Sequence, residues 1–176
     1  LRLEVREDLV SKELSWLEVE LESNRVYVHE PVRVKITFAV QQGVRLAEEI
    51  HERTRYLVIA VVADWLADFP AGEAIELPRP RGDLRAVICN EDLSQAAFVG
   101  GFERGGQVWQ RFQLERAFLP SKVGKVVLAA PELRFHALRH ARRPLRGGQV
   151  DKYGIVGKPI EFEVLPIPEA GRPSPY

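Results

Sequence analysis

The side chains of this 176-residue chain best suited to bind a metal or attack an electrophile are four histidines, His29, His51, His136 and His140, and one cysteine, Cys89. A metal site would pair His136 with His140 across one helical turn. The surrounding residues do not repeat as a helix: His136 closes an alternating strand pattern, and His140 lies in an arginine-rich loop. No metal and no cofactor is expected. A catalytic thiol needs a nearby base in a cleft. Cys89 instead ends an apolar strand, where a free cysteine packs as a small hydrophobe. A lone cysteine also excludes an intrachain disulfide and any multi-cysteine metal site. The expectation is a protein that is not an enzyme.

Two further groups could make a binding surface. Arg139, Arg142, Arg143 and Arg146, with His140, form a basic patch suited to an acidic partner surface, lipid headgroups or nucleic acid. Aromatic residues do not interleave with these arginines, and 25 acidic residues balance 25 basic ones, which argues against nucleic acid and leaves a protein contact or a solvated loop. Trp65, between Asp64 and Asp68, could stack a carbohydrate or line a peptide groove. Its competing role is packing at the edge of a core. Gly100-Gly101 and Gly105-Gly106 flank strand and turn residues, not a strand-to-helix step, so neither is a phosphate-binding loop.

The elements that would position these residues are strands. At 45% apolar the chain can bury a real core as one large domain or one domain with an insertion. Val32, Val34, Ile36, Phe38 and Val40 alternate with mostly polar neighbours, the mark of a strand with one face on a core. Leu17, Val19 and Leu21 alternate with Glu18 and Glu20, and Ser23-Asn24-Arg25 offers a turn before a strand at 26–28. The β-branched run 57–62 reads as a central strand covered on both faces. Residues 44–55 differ: Leu46, Ala47, Ile50 and Thr54 recur at three and four positions, which predicts a short amphipathic helix within an insertion spanning 44–83.

Strand patterns resume at 86–89, 97–103 and 108–116, the last two joined by a hairpin turn at Arg104-Gly105-Gly106. In the returning strand Val108, Phe112 and Leu114 share one face, with Trp109, Arg111 and Glu115 on the other. Short strands follow at 126–128 and 133–135, with a last one at 159–164. Residues 68–72 and 78–83 carry loop chemistry. Roughly eight or nine short strands separated by turns point to an all-β, two-sheet antiparallel sandwich of the immunoglobulin-like kind over residues 1–165. Residues 166–176 form a proline-rich linker. The longest apolar run, 57–66, is interrupted by Asp64 and is far short of the ~20 residues of a membrane-spanning helix. The chain has no methionine and begins at Leu1, so a longer precursor is expected.

Four segments, in order, resemble the BatD (aerotolerance, or oxygen-tolerance) family. Residues 17–32, with Val26-Tyr27-Val28-His29-Glu30-Pro31-Val32, resemble its opening strand, corner and second strand. The others are Ala63-Asp64-Trp65-Leu66-Ala67-Asp68-Phe69-Pro70, the strand 112–120 ending Phe118-Leu119-Pro120, and the exit 160–173. His29 stands where the family usually has glycine. The resemblance implies an extracytoplasmic immunoglobulin-like domain, periplasmic or in the cell envelope, anchored to a membrane by a segment outside this chain. It also implies a non-catalytic role, with von Willebrand factor A-domain membrane proteins, or other domains of its own chain, as partners, and through them cytoplasmic MoxR-type ATPases. The competing expectation is a carbohydrate-binding β-sandwich module that uses Trp65 or Trp109 as its platform.

Overall fold

The computed structural model describes residues 9–138 and 150–168. One helical turn, α1 (Leu9–Leu14), leads into β1 (Ser15–Leu21), β2 (Arg25–Tyr27) and β3 (Val32–Gln41). The alternation of β3 is fully realised: Val32, Val34, Ile36, Phe38 and Val40 are each 1% exposed or less. β4 (Glu48–His51) and β5 (Thr54–Val62) follow, then a 3-10 turn (Asp64–Leu66) and β6 (Gly72–Ile75). β7 (Leu84–Cys89), β8 (Asp92–Arg104) and β9 (Gln107–Pro120) form a meander. β10 (Gly124–Leu128), β11 (Glu132–Leu138), β12 (Val150–Val156) and β13 (Ile160–Leu165) complete the described chain.

The large sheet runs β1-β3-β9-β8-β7-β5-β11-β12, with β4 also on β5 and β6 also on β9. Its two ends come together. β1 meets β12, and a Cβ added to Gly157, just past β12, would lie 3.3 Å from Leu17 Cδ2 of β1. Among the described residues no strand ladder joins β1 to β12, and a side chain ties the seam. Ser11 of α1 is fully buried, its Oγ accepts the Gly154 N–H at 3.2 Å, and its carbonyl accepts Ser15 Oγ at 2.7 Å. A second sheet, β10-β13-β2, turns Val26, Val126, Leu128, Phe162 and Val164 into the common core. Phe69 joins the sheets, stacked 4.2 Å from Phe118 and 6.2 Å from Phe162 between ring centroids. Burying each such ring contributes about 2–3 kcal/mol. The chain is thus an all-β sandwich verging on a barrel.

Residues 44–55, expected to be a short helix, form a β-hairpin. Glu52 and Arg53 both take positive φ, 47° and 72°, as a two-residue type I′ turn requires. Across it Tyr56 donates its hydroxyl to Glu49 Oε2 at 2.7 Å, and Arg55 Nη1 donates to Glu48 Oε2 at 3.4 Å. Before β4, the Ala47 N–H donates to His136 O and the Leu138 N–H to Arg45 O, both at 2.8 Å. A helix would leave these edges of β5 and β11 unpaired, so the sheet overrides the three-and-four spacing. Two pairings also depart from an antiparallel sandwich: β5 with β7 and β2 with β13 are parallel. Gly72, expected to end a loop, instead opens β6, which pairs with β9 over Gly72–Ile75.

Candidate interaction surface

Segments 17–32, 63–70 and 112–120 and the described part of the exit, 160–168, converge in space. The His29 N–H donates to Pro120 O at 2.7 Å and the Val28 N–H to Leu165 O at 2.9 Å. Phe69 stacks on Phe118, and Trp65 meets the same ring edge-on at 6.1 Å. The corner itself is a turn from Tyr27 to Glu30: the Glu30 N–H donates to Tyr27 O at 2.9 Å, and Glu30 Oε2 accepts the Tyr27 N–H at 2.7 Å. His29, its third residue, has φ 66°, the left-handed conformation that glycine adopts without strain.

Trp65, expected as a binding residue, is 3% exposed, and its Nε1 donates to Ala129 O at 2.9 Å. A buried indole held in this way packs the core and leaves no face for a sugar or peptide. Trp109, the other expected platform, is 8% exposed, with Nε1 directed at Arg104 O at 3.3 Å. Arg139, Arg142, Arg143 and Arg146, with His140, lie outside the described residues. The register places the two described residues that flank this stretch, Leu138 and Val150, opposite each other. His136 sits within β11 opposite Lys152, His29 and His51 lie in or beside separate turns, and Cys89 is buried at the end of β7. Among the described residues no group of three or more His, Cys, Asp or Glu is placed to hold a metal ion. No described helix is long and apolar enough to cross a membrane.

Two surface features stand out that the sequence reading did not assemble. The first is a hollow of about 670 Å³ at one mouth of the curved sheet, with Phe98, Phe112, Leu57 and Leu46 toward the core and Arg45 and Gln42 at the rim. The second lies on the outer face of β1, β3, β9 and β8. Register sets Trp16 opposite Ala39, Ala39 opposite Arg111, and Phe102 opposite Trp109. Trp16 meets Phe102 edge-on at 6.2 Å. The Arg104 guanidinium lies 5.8 Å from the Trp16 ring centroid and that of Arg111 5.3 Å from the Phe102 centroid.

Cation–π stacking of this kind holds an arginine in place without neutralising it. Neither guanidinium forms an ion pair or a side-chain hydrogen bond among the described residues, and Arg111 Nε is buried with no acceptor. Farther along the same face the charges are matched: Lys35 Nζ is 3.0 Å from Glu20 Oε2. In the sequence, Arg104 belongs to a hairpin turn and Arg111 to a strand. The one available signal was the odd-numbered parity shared by Trp109 and Arg111, and only the strand order adds Trp16 and Phe102 to it.

Comparison with protein-family models, with curated proteins and with solved structures finds no match for this chain.

Proposed function

We propose that this chain is an immunoglobulin-like, non-catalytic interaction module of a membrane-anchored cell-envelope protein resembling BatD. In this reading it lies outside the cytoplasm and docks von Willebrand A-domain partners in a stress or oxygen-tolerance complex. The observation that carries the reading is the bond from the His29 N–H to Pro120 O. It joins two of the four segments on which the resemblance rests, at the position where the family usually has glycine and this chain holds a left-handed residue. The segments that carry the resemblance, scattered along the sequence, thus form one packed corner in this chain. Their chemistry, with a buried Trp65 and stacked Phe69 and Phe118, is that of packing.

The arginine and aromatic side chains of the outer face support a binding role, because these residue types dominate the energetics of protein interfaces. The test is affinity capture of the full-length gene product from cross-linked membranes of its own organism. Co-capture of an A-domain membrane protein is the expected result. Recovery of the full-length product in a cytosolic fraction, or capture with no A-domain protein, would overturn the reading.

A further inference from the structure

The geometry points to the Arg104 and Arg111 end of the outer face as the docking site for an acidic segment of a partner protein, whose carboxylates sit on the two guanidinium groups. This rests on the reading of the chain as an interaction module and names the chemistry of the contact. Arg111 Nε is buried without an acceptor among the described residues, whereas its Nη atoms form no hydrogen bond and are not buried, so they are the donors open to a carboxylate. Arg104 and Arg111 are each stacked on a ring, at 5.8 and 5.3 Å from its centroid. That stacking holds the forked donors in place before a ligand arrives, as bidentate capture of a carboxylate favours.

Charge complementarity selects an anion. An acidic residue on the same face, Glu18, is opposite Thr37 and two residues along β1 from Trp16, and among the described residues it forms no ion pair with either arginine. The rings favour a peptide over a glycan. A pyranose stacks on an open aromatic face, whereas Trp109 is 8% exposed and the guanidinium groups lie over Trp16 and Phe102. Gln107, opposite Arg104 in the register and exposed, extends the same face toward the Gly105-Gly106 turn.

The experiment measures fluorescence anisotropy of a labelled peptide of alternating Glu and Phe titrated with the 176-residue chain. The same peptide with Gln for Glu, and polygalacturonate as an acidic glycan, serve as comparisons. Arg104→Gln, Arg111→Gln and the double variant are tested beside Arg25→Gln, whose arginine pairs with Glu163 on the other sheet. Circular dichroism checks folding, and exposed Arg104 provides a variant that leaves the core untouched. The expected result is salt-sensitive binding of the Glu peptide, weakened roughly tenfold by each arginine lost and unchanged in Arg25→Gln. Absence of binding, equal binding by the double variant or by the Gln peptide, or tighter binding of polygalacturonate would overturn the proposal. If the double variant still captures an A-domain protein from membranes while the Glu peptide does not bind, this site is wrong and the wider reading stands. If the Glu peptide binds as expected and no A-domain protein is captured, the site stands and the wider reading falls.

Discussion

The backbone N–H of His29 donates to the carbonyl oxygen of Pro120 at 2.7 Å while His29 itself holds φ 66°. The bond requires the left-handed turn, and a side chain there carries a steric penalty of about 1–2 kcal/mol that glycine avoids. His29→Gly is therefore expected to leave stability unchanged or raise it by up to about 1 kcal/mol, since glycine's greater unfolded-state freedom offsets part of the relief. His29→Val is expected to lose about 1–2 kcal/mol, because a β-branched residue is poorly tolerated there. Urea unfolding of the two variants decides it; equal stabilities would show that the turn is not under strain.

Gly72 opens β6 opposite Pro120. A Cβ at this position would overlap the Leu119 carbonyl oxygen and come within 2.8 Å of Leu119 C and 2.9 Å of Pro120 Cα. These are backbone atoms of a central strand and cannot swing aside. Gly72→Ala is expected to displace β6 and lower stability by roughly 3 kcal/mol. A thermal melt within a degree or two of the parent would contradict this.

Asn90 turns β7 into β8 at φ 55°. Its Oδ1 accepts the Ala63 N–H at 2.9 Å, and its own N–H donates to Val61 O at 2.8 Å. Asn90→Ala removes the acceptor and strains the turn, with an expected loss of about 2–3 kcal/mol. Asn90→Asp keeps the oxygen and is expected to retain most of the stability. Hydrogen exchange at the Ala63 amide should accelerate in the first variant and not in the second.

Trp65 is a core residue with its indole N–H bonded to Ala129 O at 2.9 Å. Trp65→Phe is expected to strand that carbonyl and leave a small void, lowering stability by about 1–3 kcal/mol. Binding of the Glu and Phe peptide should be unaffected in the folded variant, which anisotropy measures directly.

Tyr56 is pushed above the usual tyrosine range, first because its hydroxyl donates to Glu49 and then through slight desolvation and the repulsion of the Glu49 charge. The protonated phenol is the form favoured by folding. The contribution is thus fully present below the unfolded-state value of about 10 and is lost as pH rises through the higher folded value. Glu49→Gln should bring the tyrosinate absorbance titration of Tyr56 back down, with a Tyr56→Phe subtraction isolating the signal. A titration that does not move would show that the pair does not persist in solution.

How far the fold was legible depends on how local its cause is. The alternation of β3 states which residues face the core, and Val32, Val34, Ile36, Phe38 and Val40 are buried accordingly. The Gly105-Gly106 turn was readable because both glycines carry positive φ, 63° and 73°, at a hairpin that needs it. The β4–β5 hairpin hid behind helical spacing because its turn uses Glu52 and Arg53 in left-handed conformations, without the glycine or asparagine that marks such turns. β6 was unreadable because its four residues become a strand only by pairing with β9.

The sequence by itself determined the all-β character, the inward faces of the strands and the separation of polar from apolar positions, because side-chain alternation follows from backbone geometry residue by residue. Only the tertiary structure decided the strand order, the two parallel pairings and the seam at Ser11 and Gly154. It also brought Trp16, Phe102, Arg104 and Arg111 to one patch. Periodicity tells each strand which way its side chains point. Which strands become neighbours depends on register between segments distant in the chain, where the loss of conformational freedom is repaid by contacts the local sequence does not contain.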